Sequence, residues 1–145
     1  MKKVTEEYAS MCFQKGVDCS QVVFTHGATK LGFDEKQAMK ISAPFGGGMW
    51  RGETCGCVIG ALMVIGLKYG NDDFDQPDIK QKLLQKKTEF ESSFREKHKS
   101  LICREILGYD ISKEEEMKII MNKGLFFSLC NKAVVSACEI LDELL

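Results

Sequence analysis

Apolar residues recur at helical spacing along almost the whole chain, and no segment shows four or more cleanly alternating apolar and polar β-branched residues between turn signals. The pattern predicts an all-α fold. A first helix is predicted from about Thr5 to Gln14, with Tyr8, Met11 and Cys12 facing inward and Gly16 ending it. Asp18, with Gln21 three residues on, forms a capping box for a helix reaching about Leu31. Asp34 and Gln37 repeat that box ahead of a short helix closed by Pro44. From about Thr54, the segment CGCVIGALMVIGLKYG predicts a strongly apolar helix running to Gly70. Asp75 and Pro77 open another, with Ile79, Leu83, Phe90 and Phe94 as its apolar stripe. Ser100 caps a short turn ending at Gly108, Ser112 with Glu115 starts a helix ending near Gly124, and a last helix follows from about Ser128.

Connections between these segments are short, and no linker, repeat or low-complexity tract divides the chain. One domain over residues 1–145 is expected, a bundle of about six to eight helices with a glycine-rich loop, FGGGMWRGETCG, ahead of a central buried helix. The 20 basic and 21 acidic residues are interspersed, giving a net charge of -1 and none of the basic stripe that nucleic acid would require. Lys80 to Lys87 reads as a solvated helix face. The apolar run from Cys57 to Leu67 is far short of the roughly 20 residues that span a bilayer, so no membrane is expected. Thr5, Glu6 and Glu7 stand where a signal peptide would be apolar, so the expected setting is cytoplasmic, with thiols mostly reduced at rest.

That expectation matters because the chain has 7 cysteines, at 12, 19, 55, 57, 103, 130 and 138. An odd number leaves one unpaired in any intramolecular scheme, and a chain of this length can build a core without covalent staples. Cys55 follows the glycine-rich stretch. With Thr54 as N-cap it takes the first helical position, where free N–H groups and the helix dipole favour a thiolate. Lowering a thiol from about 8.5 to about 7 takes roughly 2 kcal/mol, whereas the dipole supplies about 0.3 to 1 kcal/mol. A reactive Cys55 therefore needs Arg51, another cation or a metal as well.

Cys19, Cys103 and Cys130 follow cap-like residues too, which puts four cysteines in helix first turns, although Asp18 works against a thiolate at Cys19. Cys55 and Cys57 lie about 200° apart on a helix, so they share a site only if the first turn is non-helical. Cys130 and Cys138 are separated by about 12 Å along a helix and cannot bridge there. Cys12 and Cys138 read as core residues. Gly52, Gly56 and Gly60, spaced by four, make a strip for close approach of another helix, which could bring a second cysteine to Cys55.

With Cys19, the segment FGGGMWRGETCGCVIGALMVIGLKYG, Cys103 and Cys130 together, the chain resembles the C_GCAxxG_C_C family over nearly its whole length. That family is marked by four cysteines and a CGAxxG signature, and its description presumes redox activity. Cys55, Gly56, Val58, Ile59 and Gly60 match the signature, with Cys57 where alanine is expected and Asn131 where the family often has proline. The resemblance implies thiol redox work, with Cys55 as attacking thiolate, Cys19 or Cys57 as resolving partner, and Cys103 and Cys130 as a second pair or part of the same cluster. The substrate would be a small-molecule oxidant or a disulfide on a redox partner. The resemblance leaves the oligomeric state open.

Two alternatives stand beside it. Cys19, Cys55, Cys103 and Cys130 could ligate a metal ion or iron–sulfur cluster, against which gaps of 36, 48 and 27 positions offer no short chelating pair. A non-catalytic helical domain that binds a ligand or partner is the other. Within it, an anion could sit on the glycine-rich stretch and Arg51, though no phosphate-loop pattern supports this. His26 and His98 are isolated and read as ordinary core or surface residues.

Overall fold

In the computed structural model, which describes residues 3–145, polar residues at the expected boundaries start the first three helices. Thr5 caps α1 (Glu6–Gln14) by accepting the Tyr8 N–H at 3.1 Å. The Asp18 N–H donates to Gln21 Oε1 at 2.9 Å in the capping box of α2 (Cys19–Lys30). Asp34 accepts the Gln37 N–H at 2.9 Å to begin α3 (Glu35–Ser42), after which Pro44 leaves only a 3-10 turn, Ala43–Phe45. The chain continues through α4 (Gly56–Tyr69), α5 (Pro77–His98), α6 (Cys103–Leu107), α7 (Glu114–Lys123) and α8 (Cys130–Leu144). Among the described residues this is an all-α architecture of eight helices without strands.

Several boundaries and faces differ from expectation, each for a local reason. Cys55, not Thr54, is the N-cap of α4, because Thr54 is held in an isolated antiparallel bridge with Ile102. Ser112 does not cap α7: its hydroxyl and amide both donate to Asp110 Oδ1, at 2.6 and 2.9 Å, and the cap falls to Lys113. The last helix starts at Cys130 behind Leu129 rather than near Ser128. Tyr8 is 37% exposed and Ile79 40% exposed, whereas the inward faces keep Ala9, Cys12 and the partly buried Met11 in α1 and Phe90, Phe94 and the partly buried Leu83 in α5.

The packing of α2 against α4 organises the molecule. A Cβ on Gly56 would meet the Cys19 sulfur at 2.6 Å, one on Gly60 the Ser20 carbonyl oxygen at 2.9 Å, and one on Gly27 the Val64 side chain at 2.6 Å. Contacts that advance together along both helices mean that α2 and α4 run parallel. At the far end, His26 and Lys30 both bind the Asp142 carboxylate, and Tyr69 donates to the Leu144 carbonyl. Helix α8 therefore runs the same way, and the N-termini of α2, α4 and α8 gather at one end. Gly60→Ala places a methyl against backbone that cannot rotate away, so a net loss of about 2 kcal/mol is expected, read as a lower urea midpoint at unchanged slope.

Two hydrophobic clusters result. The larger joins α1, α2, α4, α5 and α8 and includes Cys55 and Cys57; the smaller holds Cys103, Leu107, Ile111 and Ile120, with Cys130 packed against it. Among the described residues, no single helix is long and apolar enough to cross a membrane.

Candidate active site

Between α3 and α4 the glycine run forms a left-handed turn. Gly47, Gly48, Met49 and Trp50 have φ of 60°, 62°, 59° and 57° in succession. Glycine is required at 48, where a Cβ would lie 2.3 Å from the Glu53 nitrogen, while Met49 and Trp50 each bear about 1 kcal/mol of strain or more. The turn is closed by the Glu53 N–H donating to the Gly48 carbonyl at 3.1 Å and steadied by Arg104, whose Nη1 donates to the Gly52 carbonyl at 3.0 Å. Beyond it, the Cys55 N–H donates to the Leu101 carbonyl at 2.7 Å and the Cys103 N–H to the Glu53 carbonyl at 2.6 Å. This bridge joins the segments carrying Cys55 and Cys103, 48 positions apart in the sequence.

All five cysteines expected at the site line one cavity of about 230 Å³ at the seam between the two hydrophobic clusters: Cys19, Cys55, Cys57, Cys103 and Cys130. Cys19, Cys103 and Cys130 are the first residues of their helices and Cys55 is an N-cap. Because Cys55 lies outside the helix proper, Cys57 is not turned away from it and interacts with both Cys19 and Cys55. Cys12 and Cys138 do not line the cavity and are buried in the larger cluster, as expected of core residues. Asn131, in the proline position of the family pattern, anchors the start of α8 by donating from Nδ2 to the Phe127 carbonyl at 2.8 Å.

The thiols differ sharply in acidity. Cys19 is held below its ordinary value, chiefly by the hydrogen bond from Cys57 and further by the amides of Gly47 and Ser20; these outweigh burial and the Asp18 charge. Cys57 is pushed well above its ordinary value, first by that same bond to Cys19, then by its bond to Cys55 and by burial. Burial and the neighbouring sulfurs push Cys103 up to about 12 and Cys130 well upward. A place at a helix N-terminus is thus not enough to lower a thiol here, although the Ser20 amide in the first turn of α2 contributes at Cys19. Cys103 and Cys130 occupy N1 positions yet are raised, because the dipole's contribution of up to about 1 kcal/mol loses to desolvation.

The thiol with depressed pKa is Cys19, and the groups that depress it are a neighbouring thiol and two amides rather than a cation. Arg51 is exposed and directed at the Met49 sulfur, 3.8 Å away. Among the described residues, no three His, Cys, Asp or Glu side chains converge closely enough to hold a metal ion. The five thiols line a cavity rather than converging on one point, so they do not form the closed tetrahedral shell of a single structural metal ion. Sequence reasoning missed the apolar walls, including Phe13, Leu107, Ile111 and Phe126, and missed the Gly47 amide as a donor, although the glycine run marked the place.

Fold and site together define a helical thiol-cluster protein, in which distant helix starts deliver cysteines to one apolar cavity. The chain belongs to the C_GCAxxG_C_C family, described as a putative redox-active protein, whose model matches residues 17–144. That description is consistent with a redox role. No curated protein and no solved structure matches the chain.

Proposed function

We propose that the protein carries out thiol–disulfide exchange, with Cys19 as the attacking thiolate and Cys57 as the resolving thiol. The observation that carries this reading is that Cys19 and Cys57 line the same cavity as interacting neighbours, with Cys19 held below and Cys57 well above the ordinary thiol value. The Cys19 thiolate attacks one sulfur of a substrate disulfide; a sulfur–sulfur bond forms, the substrate's bond breaks and a thiolate leaves. Cys19 is then no longer an anion, so the largest effect holding the Cys57 proton disappears. Cys57 surrenders its proton to the departing thiolate, attacks Cys19 and expels the second half of the substrate. The protein ends with a Cys19–Cys57 disulfide, the substrate leaves as one thiol and one thiolate, and an external dithiol resets the cycle. Such a cycle requires a reducing compartment such as the cytoplasm.

Cys55, Cys103 and Cys130 form the remaining wall, and the raised pKa of the last two keeps them protonated at neutral pH. Timed alkylation with iodoacetamide, read cysteine by cysteine by mass spectrometry between pH 5 and 10, tests the assignment. Cys19 should react first at pH 7, by about tenfold or more over Cys103 and Cys130. Slow reaction of Cys19 in native protein at neutral pH would sink the proposal.

A further inference from the structure

The walls of the cavity restrict what can reach Cys19. Of the residues lining it, Asp18 alone is charged; no lysine, arginine or histidine is among them. The rest of the surface away from the sulfurs is apolar, built by Phe13, Ile106, Leu107, Ile111 and Phe126 with Trp50 and Met121 at the rim, 49% and 58% exposed. Its volume, about 230 Å³, lies below the roughly 300–1,000 Å³ of pockets that take drug-sized ligands.

We infer that the oxidant accepted by this site is a small, uncharged, apolar organic disulfide. The inference rests on the exchange function proposed above and names the substrate class of that same site. An anionic disulfide such as oxidised glutathione would bring carboxylates into a space with no cation to receive them and one carboxylate already present, and desolvating such groups unpaired is costly. A peroxide would expel a strongly basic oxygen that must be protonated as it leaves. The walls supply no hydroxyl, imidazole or ammonium for this, only thiols. A disulfide's thiolate leaving group departs without a proton donor, more readily the lower its pKa, and its polarizable sulfur suits walls of aromatic and thioether groups. The balance is Cys19 thiolate plus Cys57 thiol plus R–S–S–R giving the Cys19–Cys57 disulfide, one R–S⁻ and one R–SH.

Second-order rates for the reduced full-length protein with 2,2′-dipyridyl disulfide, oxidised glutathione and hydrogen peroxide, each divided by the rate of the same reagent with N-acetylcysteine, test this. The ratio for dipyridyl disulfide should exceed the other two by about tenfold or more, and its encounter should quench the single tryptophan, Trp50. Met121→Lys, a change at an exposed rim position that the fold tolerates, should raise the oxidised-glutathione rate several-fold relative to that variant's own iodoacetamide rate at Cys19. Equal ratios for the three reagents, or no response to Met121→Lys, with Cys19 still alkylating rapidly, would overturn the substrate class alone. Failure of Cys19 to alkylate would overturn the exchange function together with it.

Discussion

Replacing Cys57 with alanine is expected to lengthen the life of a mixed disulfide on Cys19 by at least about a hundredfold, because an attack within the molecule gives way to one from dilute solution and well-placed groups act at very high effective concentration. In the wild-type protein, a small thiol loaded onto Cys19 should be expelled as Cys57 closes on it. In Cys57→Ala it should stay, visible as a stable mass adduct on the Cys19 peptide. The same variant removes the hydrogen bond that most lowers Cys19, so the midpoint of its alkylation profile should rise. Alanine is the residue the family signature expects at this position, and it is smaller than the cysteine it replaces in a site with 0% exposure, so the fold should survive. Cys55→Ala is the control: if it traps the adduct and Cys57→Ala does not, the resolving role belongs to Cys55.

The two signatures answer different questions. Adduct lifetime reports which sulfur attacks Cys19, whereas the alkylation midpoint reports which neighbour stabilises its thiolate. A purely structural role for Cys57 would move neither. The arrangement also orders the steps without a moving part: Cys57 cannot ionise easily while Cys19 is negative, and it is released once Cys19 has become a disulfide sulfur.

Helix existence was legible in the sequence because apolar spacing and polar boundary residues agreed, as at Thr5, Asp18 and Asp34. Boundaries failed where a side chain had a competing partner, as Ser112 did in Asp110, or where the backbone was taken by a distant strand-like segment, as Thr54 was by Ile102. The cysteines of the site were legible from their context at helix starts and from the family likeness. Their ranking was not, since it depends on which thiol donates to which and on how far each is desolvated. Those are properties of α2 and α4 running side by side in parallel. The glycines at 56 and 60 announced that approach, but its direction and register came only with the tertiary contacts.

Alkaline instability is the second large effect expected, and its sign follows from thiols held neutral by the fold. Cys103 and Cys138 are each pushed up to about 12, in both cases mainly by burial. Once unfolded, they would ionise near 8.5. Above that pH the unfolded state binds fewer protons than the native state, so stability falls as pH rises, by about 1.4 kcal/mol per unit for each thiol until the native values are reached. Two such thiols give a slope near 3 kcal/mol per pH unit, enough to remove a large share of the roughly 5–15 kcal/mol typical of a domain by pH 11. Cys57 and Cys130, also raised, act in the same direction. Cys19 acts oppositely but lower on the scale: its depressed value contributes stability that is fully present above the unfolded pKa and is lost as pH falls through its native one. Urea midpoints measured under phosphine reductant at pH 8, 9.5 and 10.5 check this. Cys138→Ala, remote from the cavity, should flatten the decline by about 1.4 kcal/mol per pH unit. Parallel curves for variant and wild type would mean that the Cys138 thiol ionises as easily in the folded protein as in the unfolded chain.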